Sequence, residues 1–264
     1  MTAATPTALA PTAYRVTPAR VMRSEWHKFW SLRSSWITLF SAYAVILAVG
    51  ITMGTTYDGD DSEIDTVTLI LLGTQLAQIA LAVLGILVTA GEYSTGMIRA
   101  SLTAVPQRLP VLWSKAAVFA GIVFSLSLAT VLATFLTAQV FLEGTDKAAS
   151  LSDPGIARAL LGSAAAITLL GMTALGLGAL LRSVPGAIGA YIGGVLIVPE
   201  IVGMLPYDVV DTAMKYFPSK AVEALGASQQ LPGAASPGAA LLVLALWAAA
   251  SVGGAGLLLK RRDV

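Results

Sequence analysis

Six long apolar stretches constrain this chain more than any other feature. They run roughly 36–54, 67–90, 116–141, 156–181, 186–204 and 239–259. Each is close to the ~20 mostly apolar residues that cross about 30 Å of hydrocarbon. In hydrocarbon the backbone must satisfy its own hydrogen bonds, so segments of this kind span as α-helices. Charge content agrees, since only 12% of residues are charged, against about 25% in a typical soluble domain. The expected fold class is an all-α membrane protein with six transmembrane helices. Its divisions are a tail at 1–17, an interfacial helix at 18–35 and a six-helix domain over 36–264. The tail is rich in Ala, Thr and Pro and lacks an apolar core behind basic residues. It therefore reads as disordered rather than as a cleavable signal.

Charge placement predicts the orientation. With both termini cytoplasmic, twelve of the sixteen basic residues fall on the inner side. Only Lys147, Arg158, Lys215 and Lys220 remain outside. That distribution favours an N-in, C-in arrangement. The first outer loop, YDGDDSEID, holds five acids and no base. Its spacing lacks an EF-hand pattern and reads as a solvated acidic loop.

Several chemistries are excluded or disfavoured. There is no Cys and one His, His27. Thiolate sites, multi-histidine metal sites and Cys nucleophiles are therefore absent, and an intramembrane metalloenzyme is disfavoured. No G-x-x-x-x-G-K-[ST] occurs, and the glycine-rich pieces lie inside apolar spans. They suit close helix packing, as with Ala174 and Gly178, rather than phosphate binding. Nothing points to nucleic acid.

Two segments outside the spans carry the functional signal. In PARVMRSEWHKFWSLRSS, residues Met22, Trp26, Phe29 and Trp30 share one helical face, with bases elsewhere. This predicts an amphipathic helix lying in the lipid interface, its bases toward anionic headgroups. His27 reads as a solvated face residue. The second segment, GEYSTGMIRASLTAVPQR, joins the second and third spans. About two helical turns are expected from Gly96, with Met97, Ile98 and Leu102 as an exposed apolar ridge. Pro106 and Pro110 are expected to break that helix. Such an element suits docking in a groove, and headgroup burial fits the same pattern.

The residues GEYSTGMIRASLTAVPQRLPVLWSK resemble the segment after the second span of ABC-2 type transporter permeases. The matching positions are Glu92, Gly96, Pro106, Arg108 and Lys115. EWHKFWSLRSSW is similar to that family's amphipathic N-terminal helix. The resemblance implies an ABC exporter permease in a bacterial plasma membrane. It implies a second permease copy, identical or related, and a cytoplasmic ATPase subunit that holds the ATP-Mg. It further implies no cofactor and no catalytic residue on this chain. The segment around Glu92, Tyr93, Met97, Ile98, Leu102, Pro106 and Arg108 would then be the coupling helix. Two short outer helices are expected between spans five and six, in PEIVGMLPYDVVDTAMKYFPSKAVEALG.

Polar residues in the spans, Gln75, Gln78, Thr130, Thr134 and Glu200, together with Phe217 of the outer segment, mark a candidate substrate path or gate. Interhelical hydrogen bonding is the alternative reading of the Gln and Thr stripes. The implied cargo is hydrophobic or amphipathic: a drug, antibiotic, lipid or peptide. Two other functions stay open. An ion-coupled carrier would need intramembrane charges and commonly shows repeats, and a scaffold or sensor could use the same fold.

Overall fold

The computed structural model describes residues 17–59, 64–98, 103 and 108–261. Every regular element among them is helical, and six helices are long and apolar enough to cross a membrane. The helices are α1 (Pro18–Ser31), α2 (Arg33–Thr56), α3 (Thr66–Ile70), α4 (Gly73–Ser94), α5 (Arg108–Leu142) and α6 (Ile156–Leu181). The fifth span is composite: α7 (Val184–Tyr191), a π-helical turn (Ile192–Ile197) and α8 (Val198–Gly203). Two short helices follow, α9 (Asp208–Met214) and α10 (Pro218–Gly226), before α11 (Pro237–Arg261).

Proline and short polar side chains set most of these starts. Proline stands in the first turn of α1, α7, α8 and α10, where its missing N–H removes no helical bond. Thr17 caps α1 and Ser183 caps α7, each accepting from the backbone N–H three residues on. Pro110 follows the same logic. It lies in the first turn of α5 instead of breaking a helix, so the third span starts eight residues earlier than hydropathy places it. Pro199 acts differently. The preceding turn widens, and the Val198 N–H reaches back to the Gly193 carbonyl.

The bundle is organised around α6, the most enclosed of the spans. Glycines permit its contacts. A Cβ on Gly85 of α4 would sit 2.5 Å from the Gly171 carbonyl oxygen, and one on Gly176 would meet Ser251 Oγ of α11 at 2.5 Å. Thr89 of α4 packs against Gly178 and donates to the Leu175 carbonyl at 2.9 Å. Removing both Cβ atoms lets backbones approach where lipid provides no hydrophobic drive.

The helix expected over 18–35 ends at Ser31, because Leu32 adopts an extended conformation (φ −86°, ψ 116°). Val21, Glu25 and Phe29 face the bundle, whereas Met22 and Trp26 are each 45% exposed. The face expected toward headgroups is thus divided, with Met22 and Trp26 outward and Phe29 packed inward beside Val21 and Glu25. Trp30 bridges the elbow, edge-on to Trp26 and Phe29 and 4.3 Å from the Trp36 ring.

Candidate functional site

At the end of α4, Gly96 takes a left-handed conformation (φ 72°) and the helix stops at Ser94. This leaves Glu92 in the last turn, beside the second turn of α5 and the inner face of α1. Four charges from those helices converge there. Lys115 Nζ lies 2.5 Å from Glu25 Oε2 and 2.8 Å from Glu92 Oε1. Lys28 Nζ lies 2.7 Å from Glu25 Oε1 and 3.3 Å from Glu92 Oε1. Glu25, Glu92 and Lys115 are buried at 4%, 5% and 6% exposure. Two acids offset two bases, which is what permits charges at this depth. Burial alone pulls the Lys28 pKa down, but hydrogen bonds and charge from Glu25 and Glu92 outweigh it, leaving Lys28 above its ordinary 10.5.

The network joins α1 to the ends of α4 and α5, the two helices that flank residues 95–107. A cavity of about 380 Å³ lies against it, bounded by Lys28, Ser34, Leu87, Val88, Glu92 and Met97. Glu92 Oε2 is buried and accepts no hydrogen bond among the described residues. Beside Glu92 is a second cavity of about 20 Å³, enough for one water.

The proposed docking residues do not share one exposed ridge. Met97 is 41% exposed, but Ile98 is buried beside Val111, Leu112 and Leu259. Glu92 belongs to the ion network. Tyr93 lies under the Arg182 guanidinium, 5.1 Å from its ring centroid, where Arg182 closes α6 in a left-handed conformation (φ 54°). Arg108 opens α5. Leu102 and Pro106 lie outside the described residues. In the amphipathic helix, Met22 and Trp26 face outward, while Phe29 is buried and Trp30 partly so.

The far end of the bundle holds two adjoining cavities of about 360 and 280 Å³. Both are bounded by Gln75, Gln78, Val222 and Glu223, and the second also by Glu200. Three proposed path residues therefore meet. The others do not. Thr134 is fully buried against Gly50 of α2, and Thr130 is on the same face one turn earlier. Ser127, another member of that stripe, is within 3.2 Å of the Tyr43 hydroxyl, so the stripe serves helix packing. Phe217 stacks on Trp247 of α11 with centroids 5.8 Å apart. Asp65 closes this end. It accepts from the backbone N–H groups of Thr68 and Ser228, each at 3.0 Å, and from the Ser228 hydroxyl. Arg158 donates to the Ala227 and Ser228 carbonyls at 3.1 and 2.8 Å.

Glu25 is the network residue that the sequence reading misses, because it lies on a stripe with Val21 and Phe29 whose charged partners on α4 and α5 are remote in the chain. The available signal is chemical: Glu92 and Lys115 leave charges near a membrane boundary that need partners, and Glu25 precedes Lys28 by three residues. Among the described residues, no three metal-ligating side chains converge. No known protein family, curated protein or solved structure matches the chain.

Proposed function

We propose that this chain is the membrane subunit of an exporter powered by a separate cytoplasmic ATPase, pairing with a second permease copy. The observation that carries this reading is the buried Glu25–Lys115–Glu92–Lys28 network. It couples the interfacial helix and two spans at the end where both termini emerge. Basic residues of the described helices, including Arg20, Arg23, Arg33, Lys260 and Arg261, gather at that end, which supports its cytoplasmic assignment.

The mechanism follows from mechanical continuity. An ATPase that grips the segment beyond Ser94 would move α4 and α5 with it, since Lys115 and Glu92 hold their ends together. α1 would follow through Glu25. Nucleotide binding would thereby shift the bundle between two dispositions for which the ATPase has different affinity. The route would lead to the far-end cavities lined by Gln75, Gln78 and Glu200.

The test is co-purification of the tagged chain with a protein carrying a Walker A motif, scored with nucleotide hydrolysis. Met97→Asp places a charge on the exposed position of the segment without entering the core. It should reduce pairing and hydrolysis by at least about tenfold, the scale of an interfacial hot spot. Unchanged pairing and transport in that variant would remove the coupling role.

A further inference from the structure

The cavities at the far end single out one kind of cargo. Three acids border them, and two already have partners. Asp65 is bonded to Thr68 and Ser228, and Glu223 is paired with Lys220 at 3.1 Å. Glu200 is different. It is exposed and makes no ion pair or hydrogen bond among the described residues. It also lies in the helix that follows the π-helical turn of a candidate span. An ionisable residue within a candidate span marks a functional site by default.

The rest of the wall does not neutralise it. Gln75 and Gln78, one turn apart on α4, are uncharged amides that offer both N–H donors and oxygen acceptors. Ser219 Oγ is buried at the same wall with no partner among the described residues. Leu170, Val195, Leu196 and Val222 supply apolar surface. Among the described residues, no Lys or Arg borders either cavity. The cavity that Glu200 borders, about 280 Å³, adjoins the one of about 360 Å³ along Gln75, Gln78, Val222 and Glu223, and together they fall within the range of small-molecule sites.

We propose that this cavity selects an organic cation with an apolar body, Glu200 acting as its counter-ion. The inference deepens the exporter reading and rests on it for the word cargo; the binding itself does not. Selection works by difference. An anion meets an unneutralised carboxylate, whereas a cation relieves it while the apolar body covers the leucine and valine wall.

The test uses two ions of nearly equal size and opposite charge, tetraphenylphosphonium and tetraphenylborate. Purified full-length chain in zwitterionic nanodiscs is titrated with each, and protein-free nanodiscs are subtracted. Saturable binding is expected for the phosphonium alone. Glu200→Gln should weaken it about tenfold, as for loss of one partly desolvated ion pair, while Glu200→Asp retains the preference. A second measurement needs no substitution: the phosphonium, unlike the borate, should slow carbodiimide-driven amide formation at Glu200. Equal binding of the two ions, no effect of Glu200→Gln, or no protection of Glu200 would overturn the proposal. Loss of the preference with ATPase pairing intact removes the cargo class and leaves the exporter reading standing. Failed pairing with the preference intact does the reverse.

Discussion

Lys115 carries the heaviest electrostatic duty of any side chain here. Its ammonium is shared by two buried carboxylates, and removing it leaves Glu25 and Glu92 facing one another with only the half-exposed Lys28 between them. Breaking a buried pair from one side typically costs about 3–5 kcal/mol. Lys115→Met should therefore lower the thermal midpoint of the detergent-solubilised chain sharply. The double variant Lys115→Met with Glu92→Gln removes one charge of each sign and leaves Glu25 paired with Lys28, so it should recover part of the loss. No recovery in that double variant would mean that packing around the lysine stem, not charge, is what matters. Lys115 is legible from sequence as the base that opens the third span. Glu25 is not, because two helical stripes compete in residues 18–31. The 22/26/29/30 stripe holds the larger aromatic surface, yet the partner residues that reward 21/25/29 lie on α4 and α5, remote in the chain. Met97 and Ile98 show the same limit. They are adjacent apolar residues of similar size, and only the proximity of Val111 and Leu259 decides which one is buried.

Helix contacts depend on where side chains are missing. Gly85 and Gly171 meet at the α4–α6 crossing, and no Cβ fits on Gly85 without moving backbone. Gly85→Val should cost about 1–3 kcal/mol through overpacking, seen as a lower melting temperature and a polydisperse elution profile. Gly121 of α5 has open space around its Cβ position. Gly121→Ala should instead hold or raise stability, by up to about 1 kcal/mol from restricted backbone freedom. If both changes behave alike, close approach is not what selects glycine at the crossing. Hydropathy locates the six spans to within a few residues at most ends because lipid immersion demands a continuous apolar run whatever the neighbours. It misplaces the start of α5, since Arg108 to Lys115 is too polar for a span yet helical by virtue of its attachments. The π-helical turn before Pro199 is equally invisible, as proline announces an interruption without stating which geometry absorbs it.

The arrangement of the whole chain can be checked without altering its background, because it contains no cysteine. Met97→Cys and Tyr207→Cys place single thiols on exposed positions at opposite ends of the bundle, 41% and 61% accessible. In intact cells a membrane-impermeant maleimide should label position 207 and spare 97, and permeabilisation should expose both. The opposite pattern would invert the chain and end the exporter reading. Asp65 has a consequence for how such a bundle moves. One carboxylate holds both the start of α3 and Ser228, two residues beyond α10, so the approach from spans one and two and the returning helices are pinned at a common point. Any widening of the far-end mouth on that side must carry the two segments together, as one flap turning about Arg158, or first tear Asp65 from its donors.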